Sequence, residues 1–294
     1  MKKVDVVVTT YKRPIEVLRR ALNSIKQQSY EYFEVYVVND APEDTNGSYA
    51  IKELIRSMKD NRFHYISYEH NMGACAARNI GAISGNYEYL AFLDDDDEWI
   101  PEKIEKSISQ FTTSQIGLVY SPFFEYDKNN DGTIFNTMGI PQNPIEILLY
   151  DNFIGGCSMV MLTRESFNAV GGFDESLLSS QDLDLWIRIL EKYKLGYVED
   201  PLVKRYLQED SISINFEKKK QGWEKFLINH RDKYIQYPNV LNYKLNFIAS
   251  QSIWFGEMKY AFNCWKRALN INPFLFKNNV KPIRSVISFF LHKF

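Results

Sequence analysis

Short apolar runs alternate with amphipathic stretches through the first hundred residues of this chain. Residues 4–8 form a β-branched run ending in Thr9-Thr10-Tyr11, and after Pro14 the apolar positions Ile15, Leu18, Leu22 and Ile25 recur at helical spacing. Residues 33–38 read as a second strand, followed by the turn-rich Asn39-Asp40-Ala41-Pro42-Glu43-Asp44 and a helix near 49–58. A third strand is expected over 63–68, an alanine-rich helix over 72–84, and a fourth strand, Tyr89-Leu90-Ala91-Phe92-Leu93, runs straight into Asp94, Asp95, Asp96 and Asp97. Alternation of β and α at these lengths predicts a mostly parallel α/β sheet flanked by helices, with ligands beyond the carboxyl ends of its strands. Those ends are residues 9–13, Asp40, residues 70–73 and residues 94–97.

After Pro101 a helix is expected to about Phe111, and the order then becomes less regular: a strand near 118–126, a turn at 129–132 and a strand near 158–162. Gly171-Gly172-Phe173-Asp174 reads as a turn, and Gln181-Asp182-Leu183-Asp184 opens a helix whose acidic first turn suits the helix dipole. From Phe216 the chain reads as helical throughout, punctuated by Pro238 and Pro273, with a helical hairpin over 256–273. The division this predicts is a catalytic domain over 1–214 and a helical C-terminal extension over 215–294.

Charge sharpens that division. The net charge of −2 hides 14 Lys+Arg against 4 Asp+Glu in residues 215–294, which leaves 21 against 33 in residues 1–214, or +10 against −12. A basic appendage on an acidic body fits either an anionic surface or complementarity within the molecule. Val280, Ile283, Ile287, Phe290 and Leu291 recur at helical spacing beside Lys277, Lys281, Arg284 and Lys293. That stripe suits an anionic bilayer, or packing on the catalytic domain or a second subunit of a homo-oligomer. No window reaches the ~18 apolar residues that span a bilayer, and no signal-peptide pattern opens the chain, so a cytoplasmic protein with at most peripheral membrane contact is expected. Cys75, Cys157 and Cys264 are too far apart for a disulfide framework or a zinc ribbon, and no pair of histidines has ligand spacing.

The acid run carries the most chemistry. Four adjacent carboxylates framed by apolar residues repel strongly, which points to a divalent cation, Mn²⁺ or Mg²⁺, shared with a substrate phosphate. The plain alternative is an acidic cluster favouring the dipole of the helix after Pro101. Residues 9–13 offer hydroxyls, an aromatic face and a guanidinium, groups suited to a nucleobase and a phosphate. Asp40 either accepts the imide N–H of a uracil or serves as a turn residue. In Asn71-Met72-Gly73-Ala74-Cys75-Ala76-Ala77-Arg78-Asn79, Gly73 stands at a helix N-terminus and Arg78 about a turn and a half on, an arrangement that would hold a diphosphate. Neither a Walker loop nor a G-x-G-x-x-G fingerprint is present, which argues against a P-loop NTPase or a Rossmann dehydrogenase. No feature calls for a nucleic acid.

Taken together, these strand ends resemble the inverting family 2 glycosyltransferases, which have a GT-A fold. The matching segments are Val6-Val7-Val8-Thr9-Thr10-Tyr11-Lys12-Arg13, Asn39-Asp40-Ala41-Pro42, Asn71 to Asn79, and Phe92-Leu93-Asp94-Asp95-Asp96-Asp97-Glu98-Trp99 at the D-x-D position; the likeness continues through Gly171 to Glu175 and Gln181 to Trp186. The resemblance implies that Thr9, Tyr11 and Asp40 contact the base, Arg13 and Arg78 the nucleotide and diphosphate alongside Asn71 and Gly73, Asp95 the ribose, and Asp94 and Asp96 the metal. Asp182 would be the general base. It further implies transfer of a sugar from a nucleotide-sugar donor, UDP-linked, to a glycan or lipid-linked acceptor. Three departures stand out: Asn39 for the first acid of the turn, Gln181 for the Glu beside the base, and Gln208 for a His before Asp210-Ser211-Ile212-Ser213. The rival readings are a nucleotidyltransferase, which shares the acids and metal, and an inactive sugar-nucleotide-binding scaffold.

Overall fold

The computed structural model describes residues 2–126, 132–207 and 215–286. The expected alternation is present: β1 (Val4–Thr10), α1 (Ile15–Lys26), β2 (Phe33–Asn39), α2 (Thr45–Met58), β3 (Phe63–Ser67), α3 (Ala74–Ser84) and β4 (Tyr89–Asp94). Helix α2 begins four residues earlier than its apolar spacing indicates, because the Asp44 carboxylate accepts the Gly47 N–H at 3.0 Å and caps the first turn. Then come β5 (Glu98–Trp99), α4 (Lys103–Ser109), β6 (Ile116–Tyr120), β7 (Phe123–Tyr126), β8 (Thr133–Phe135), α5 (Pro144–Leu148), β9 (Val160–Thr163), α6 (Arg164–Ala169), α7 (Gln181–Leu190), β10 (Lys194–Tyr197) and β11 (Val203–Tyr206).

A seven-stranded sheet runs in the order β10-β6-β9-β4-β1-β2-β3, parallel except at β9. Its centre is legible in β1 and β4, whose side chains are buried on both faces, as a sheet covered on both sides requires. The single strand expected near 118–126 is two strands. Pro122 has no N–H for a central ladder, so the chain leaves the large sheet after β6 and continues as β7 in a small sheet ordered β5-β11-β7-β8. The expected strand near 158–162 starts with a 3₁₀ turn at Cys157–Met159 before β9, whose antiparallel insertion between β4 and β6 is where the alternation breaks.

The chain divides into two compact units: Met1–Gln142 with Phe153–Ser176 and Gln181–Glu209, and Asn143–Asn152 with Leu177–Ser180 and Asp210–Phe294. The second unit is helical, with α8 (Phe216–Asn229), α9 (Arg231–Gln236), α10 (Pro238–Trp254) and α11 (Met258–Ile271). The stretch expected to be a hairpin, 256–273, is largely the single helix α11. Its partner is α10, joined to it by Asn242 Nδ2, which donates to Ala268 O at 2.8 Å. Segment 143–152 packs within this unit, where Tyr234 Oη donates to Leu149 O at 2.6 Å. Gln208, residues 210–213, the turn residues 129–131, and Ile287, Phe290, Leu291 and Lys293 lie outside the described residues. No helix of the described residues is long and apolar enough to cross a membrane.

Candidate active site

Parallel register brings the expected groups together at one edge of the first unit. Thr9 stands beside Asp94 and Thr10 beside Asn39, so the ends of β4, β1 and β2 form a continuous rim. Beyond it the β1–α1 loop turns through Lys12 at φ 49° and presents Tyr11, 51% exposed. Arg13 folds back over the acid run: its Nε donates to Asp95 Oδ1 at 2.8 Å and its Nη2 to Asp96 Oδ2 at 3.0 Å. Arg20 from α1 adds a bond to the Asp96 carbonyl at 2.5 Å. Next to this loop, a cleft of about 280 Å³ opens between Arg13, Asn39, Ala41 and the first turn of α2.

Asp40 is an anchor. Its carboxylate accepts Tyr68 Oη at 2.6 Å, Met72 N–H at 2.9 Å and Gly73 N–H at 3.1 Å, while its carbonyl accepts Asn71 Nδ2 at 2.7 Å. Three of the carboxylate's roughly four acceptor positions are thereby used inside the protein. The effect is to fix the loop before α3, where Gly73 at φ 88° adopts a backbone conformation that only glycine takes readily. Further along α3, Asn79 exchanges hydrogen bonds with Phe173 (Phe173 N–H to its Oδ1 at 2.9 Å, its Nδ2 to Phe173 O at 3.0 Å), which docks the 171–174 turn against the helix.

Arg78 links α3, β4 and α7. Its Nη2 donates to Asp94 Oδ1 at 2.7 Å, and its Nη1 points to Gln181 Oε1 at 3.5 Å. Asp182 lies in the same electrostatic neighbourhood: burial raises its carboxyl above the usual range, the Leu183 N–H and Arg78 oppose the rise, and Asp94 adds to it. Trp186, one turn on, donates from Nε1 to Gly155 O at 3.0 Å, so α7 also holds the loop beside Asp94. Thus Asp182, far from the acid run in sequence, lies within electrostatic reach of Arg78 and Asp94.

The four aspartates are not equivalent, and part of the positive charge that the run calls for comes from the protein itself. Arg78 and Arg13 supply fixed positive charge to Asp94, Asp95 and Asp96. Burial pushes Asp95 up to about 6 against the opposing pull of Arg13 and a hydrogen bond from Thr10. Burial also raises Asp96, with Asp94 as the next contributor, and holds Asp97, bonded to Ser158, well above the carboxylate range. Asp94 and Asp96 keep the most side-chain exposure of the paired acids, 33% and 22%. Among the described residues no three acidic, histidine or cysteine side chains converge to hold a metal by themselves. Two carboxylates nevertheless fit a Mg²⁺-like cation that takes its remaining oxygens from phosphate and water.

Sequence reasoning missed Tyr68 and Ser158, whose Oγ accepts the Asp94 N–H at 3.0 Å. Ser158 offers no local signal, since its partner is sixty-four positions away.

Residues 5–171 match the family described as Glycosyl transferase family 2. An Escherichia coli protein named UDP-Glc:alpha-D-GlcNAc-diphosphoundecaprenol beta-1,3-glucosyltransferase is 26% identical, with 88% of this chain and 96% of that protein aligned. The Staphylococcus aureus TarS fragment 1–349, solved with UDP-GlcNAc, has a similar fold at TM-score 0.64 and 17% identity, over 98% of this chain and 90% of that one. So does a mannosyltransferase from Pyrobaculum calidifontis solved with GDP-Man and Mn²⁺, at TM-score 0.61 and 15% identity, over 99% and 88%. With the sheet order above, these likenesses make the first unit a GT-A fold, and this chain belongs to glycosyl transferase family 2.

Proposed function

We propose that the protein is a metal-dependent, inverting glycosyltransferase that moves one sugar from a UDP-sugar to a hydroxyl of a glycan or lipid-linked acceptor. The observation that carries this reading is the convergence of Asp94, Arg78 and Asp182 at the carboxyl edge of the sheet. Thr9 and Tyr11 face the base, and Asp40 serves it by holding Asn71 and Gly73 in place. Arg13 and Arg78 meet the nucleotide and diphosphate together with the N–H groups that open α3. Asp95 acts through Arg13, which it orients. Asp94 and Asp96 would hold a divalent cation, which supplies neutralisation of the leaving diphosphate.

The acceptor oxygen attacks the anomeric carbon opposite the diphosphate. Its proton passes to Asp182, the new C–O bond forms, and the bond from the anomeric carbon to the diphosphate breaks with its electrons on the departing nucleotide. A carboxylate whose basicity is raised by burial suits this task. The E. coli relative's named donor and acceptor favour UDP and a lipid diphosphate-linked sugar; the nucleotide sugars and Mn²⁺ in the two solved neighbours favour the donor class and the cation.

Calorimetric titration of UDP with Mn²⁺ and with EDTA tests the metal bridge, which predicts tighter binding with Mn²⁺; equal affinities sink it. The second unit's excess of basic residues and its apolar groove of about 310 Å³, lined by Ile253, Phe262, Trp265 and Ile283 among others, favour an anionic membrane surface as the place where the acceptor is met. Co-sedimentation with phosphatidylglycerol vesicles that weakens at high salt is expected, and indifference to such vesicles removes this part of the reading.

A further inference from the structure

Beneath the acid run lies a lysine that the chemistry above does not use. Lys103, the first residue of α4, is 0% exposed. Burial alone pulls its ammonium down, to about 7. Its Nζ donates to Met159 O at 2.7 Å and to Ser121 Oγ at 3.2 Å. Met159 O also takes the Ser121 N–H at 3.2 Å. One residue back, Ser158 O accepts Trp99 Nε1 at 2.9 Å, while Ser158 Oγ accepts the Asp94 N–H at 3.0 Å and bonds the Asp97 carboxyl.

The 157–159 turn is therefore gripped from the core on its carbonyl side and supports the first aspartate on its hydroxyl side. Packing does not explain the choice of lysine, since an unbranched apolar side chain fills the same space without desolvating an amine. What lysine adds is a donor at the end of a long stem, placed on the carbonyl of Met159, the residue that follows Ser158.

We propose that Lys103 is a positioning residue of the active site: by fixing the Met159 carbonyl it holds the adjoining Ser158, which sets the place of Asp94 and, through the following turn, that of Asp96. The functional half of this inference rests on Asp94 and Asp96 meeting the cation and diphosphate; the structural half does not.

The test compares wild type, Lys103→Met and Lys103→Gln in the full chain by thermal unfolding, amide hydrogen exchange, and calorimetry with UDP and Mn²⁺. Lys103→Met is expected to unfold at a temperature equal to or above that of wild type. Its amide exchange over residues 93–97 should quicken about tenfold, the loss of one hydrogen bond's worth of order, with β1–β3 unchanged. The gain in UDP affinity that Mn²⁺ confers should fall by a similar factor, and Lys103→Gln, which keeps an N–H donor, should lie between the two. Wild-type exchange over 93–97 in Lys103→Met overturns the proposal. If wild type itself binds UDP equally with and without Mn²⁺, the cation reading fails while the exchange result still decides the role of Lys103. Should Lys103→Met not fold, Lys103→Gln carries the comparison, and exchange over 93–97 as slow as in wild type then overturns the proposal.

Discussion

Strand β1 has aspartate–arginine chemistry at both of its ends, and the two ends behave as opposites. At the amino end Asp5 is 0% exposed, paired with Arg164 Nη2 at 2.5 Å and bonded by the Tyr87 N–H at 2.7 Å. Gly85 packs so closely there that a Cβ would lie 2.2 Å from Asp5 Oδ2. At the carboxyl end Arg13 and Arg78 pair with Asp95, Asp96 and Asp94, but the Asp94 and Asp96 side chains retain 33% and 22% exposure. A pair sealed from water acts as a lock, since removing one partner strands a buried charge. A pair with access to water is weak enough to exchange partners with an arriving ligand. The same residue types thus build a joint below and a site above, and burial decides which.

The largest test of that contrast acts on the upper edge alone. Asp182→Asn keeps the shape of the side chain and removes its capacity to take a proton, so transfer should fall by about two orders of magnitude or more. UDP affinity and the unfolding midpoint should hardly move. Near-normal turnover would remove Asp182 from the mechanism. The converse is Arg164→Met at the lower end, which leaves Asp5 buried and unpaired and should cost about 3–5 kcal/mol of stability in urea unfolding. UDP affinity of the folded fraction should be unchanged; a loss of UDP affinity with stability intact would erase the distinction between lock and site.

A smaller and graded effect probes the upper end by pH. Burial pushes the Asp95 carboxyl up to about 6 from an ordinary 3.8, with Arg13 pulling it back. A carboxyl whose folded pKa lies above its unfolded value binds more protons when folded. Its contribution to stability is therefore full below about pH 3.8 and is lost as pH rises through about 6. Relative to Asp95→Asn, wild type should lose up to ~3 kcal/mol between pH 4 and pH 7. Urea titrations across that range check the slope, and parallel curves for the two proteins would show that Asp95 does not titrate there.

The sequence made the alternating strands and the rim legible because β1 and β4 are apolar along their whole length and end on polar residues. The resemblance then assigned roles to those ends. What stayed hidden was pairing across long gaps. Nothing near Asp40 announces that Tyr68, Met72 and Gly73 will occupy its carboxylate, and nothing near the four aspartates announces Arg13 and Arg78 as their counter-charges. The break at Pro122 could have been read from the missing N–H alone. By contrast, the apolar residues of α5 state only that they are buried, and their membership of the helical unit depends on what they are buried against.

The smallest expected effect comes from glycine and sharpens the contrast at backbone level. Gly73 has φ 88° with nothing within 4 Å of a would-be Cβ, so Gly73→Ala meets backbone strain without a clash. The cost should be about 1–2 kcal/mol. Any relief of that strain moves the N–H that donates to Asp40 Oδ2 at 3.1 Å, and with it the opening turn of α3. UDP affinity measured in EDTA should therefore weaken by a few-fold in step with the modest loss of stability. Gly85→Ala reverses the pattern: its backbone is ordinary at φ −104°, but its Cβ drives into Asp5, so stability falls further while UDP affinity stays as in wild type. If Gly73→Ala binds UDP normally, the loop tied to Asp40 does not shape the nucleotide site, and Asp40 belongs with Asp5 among the joints.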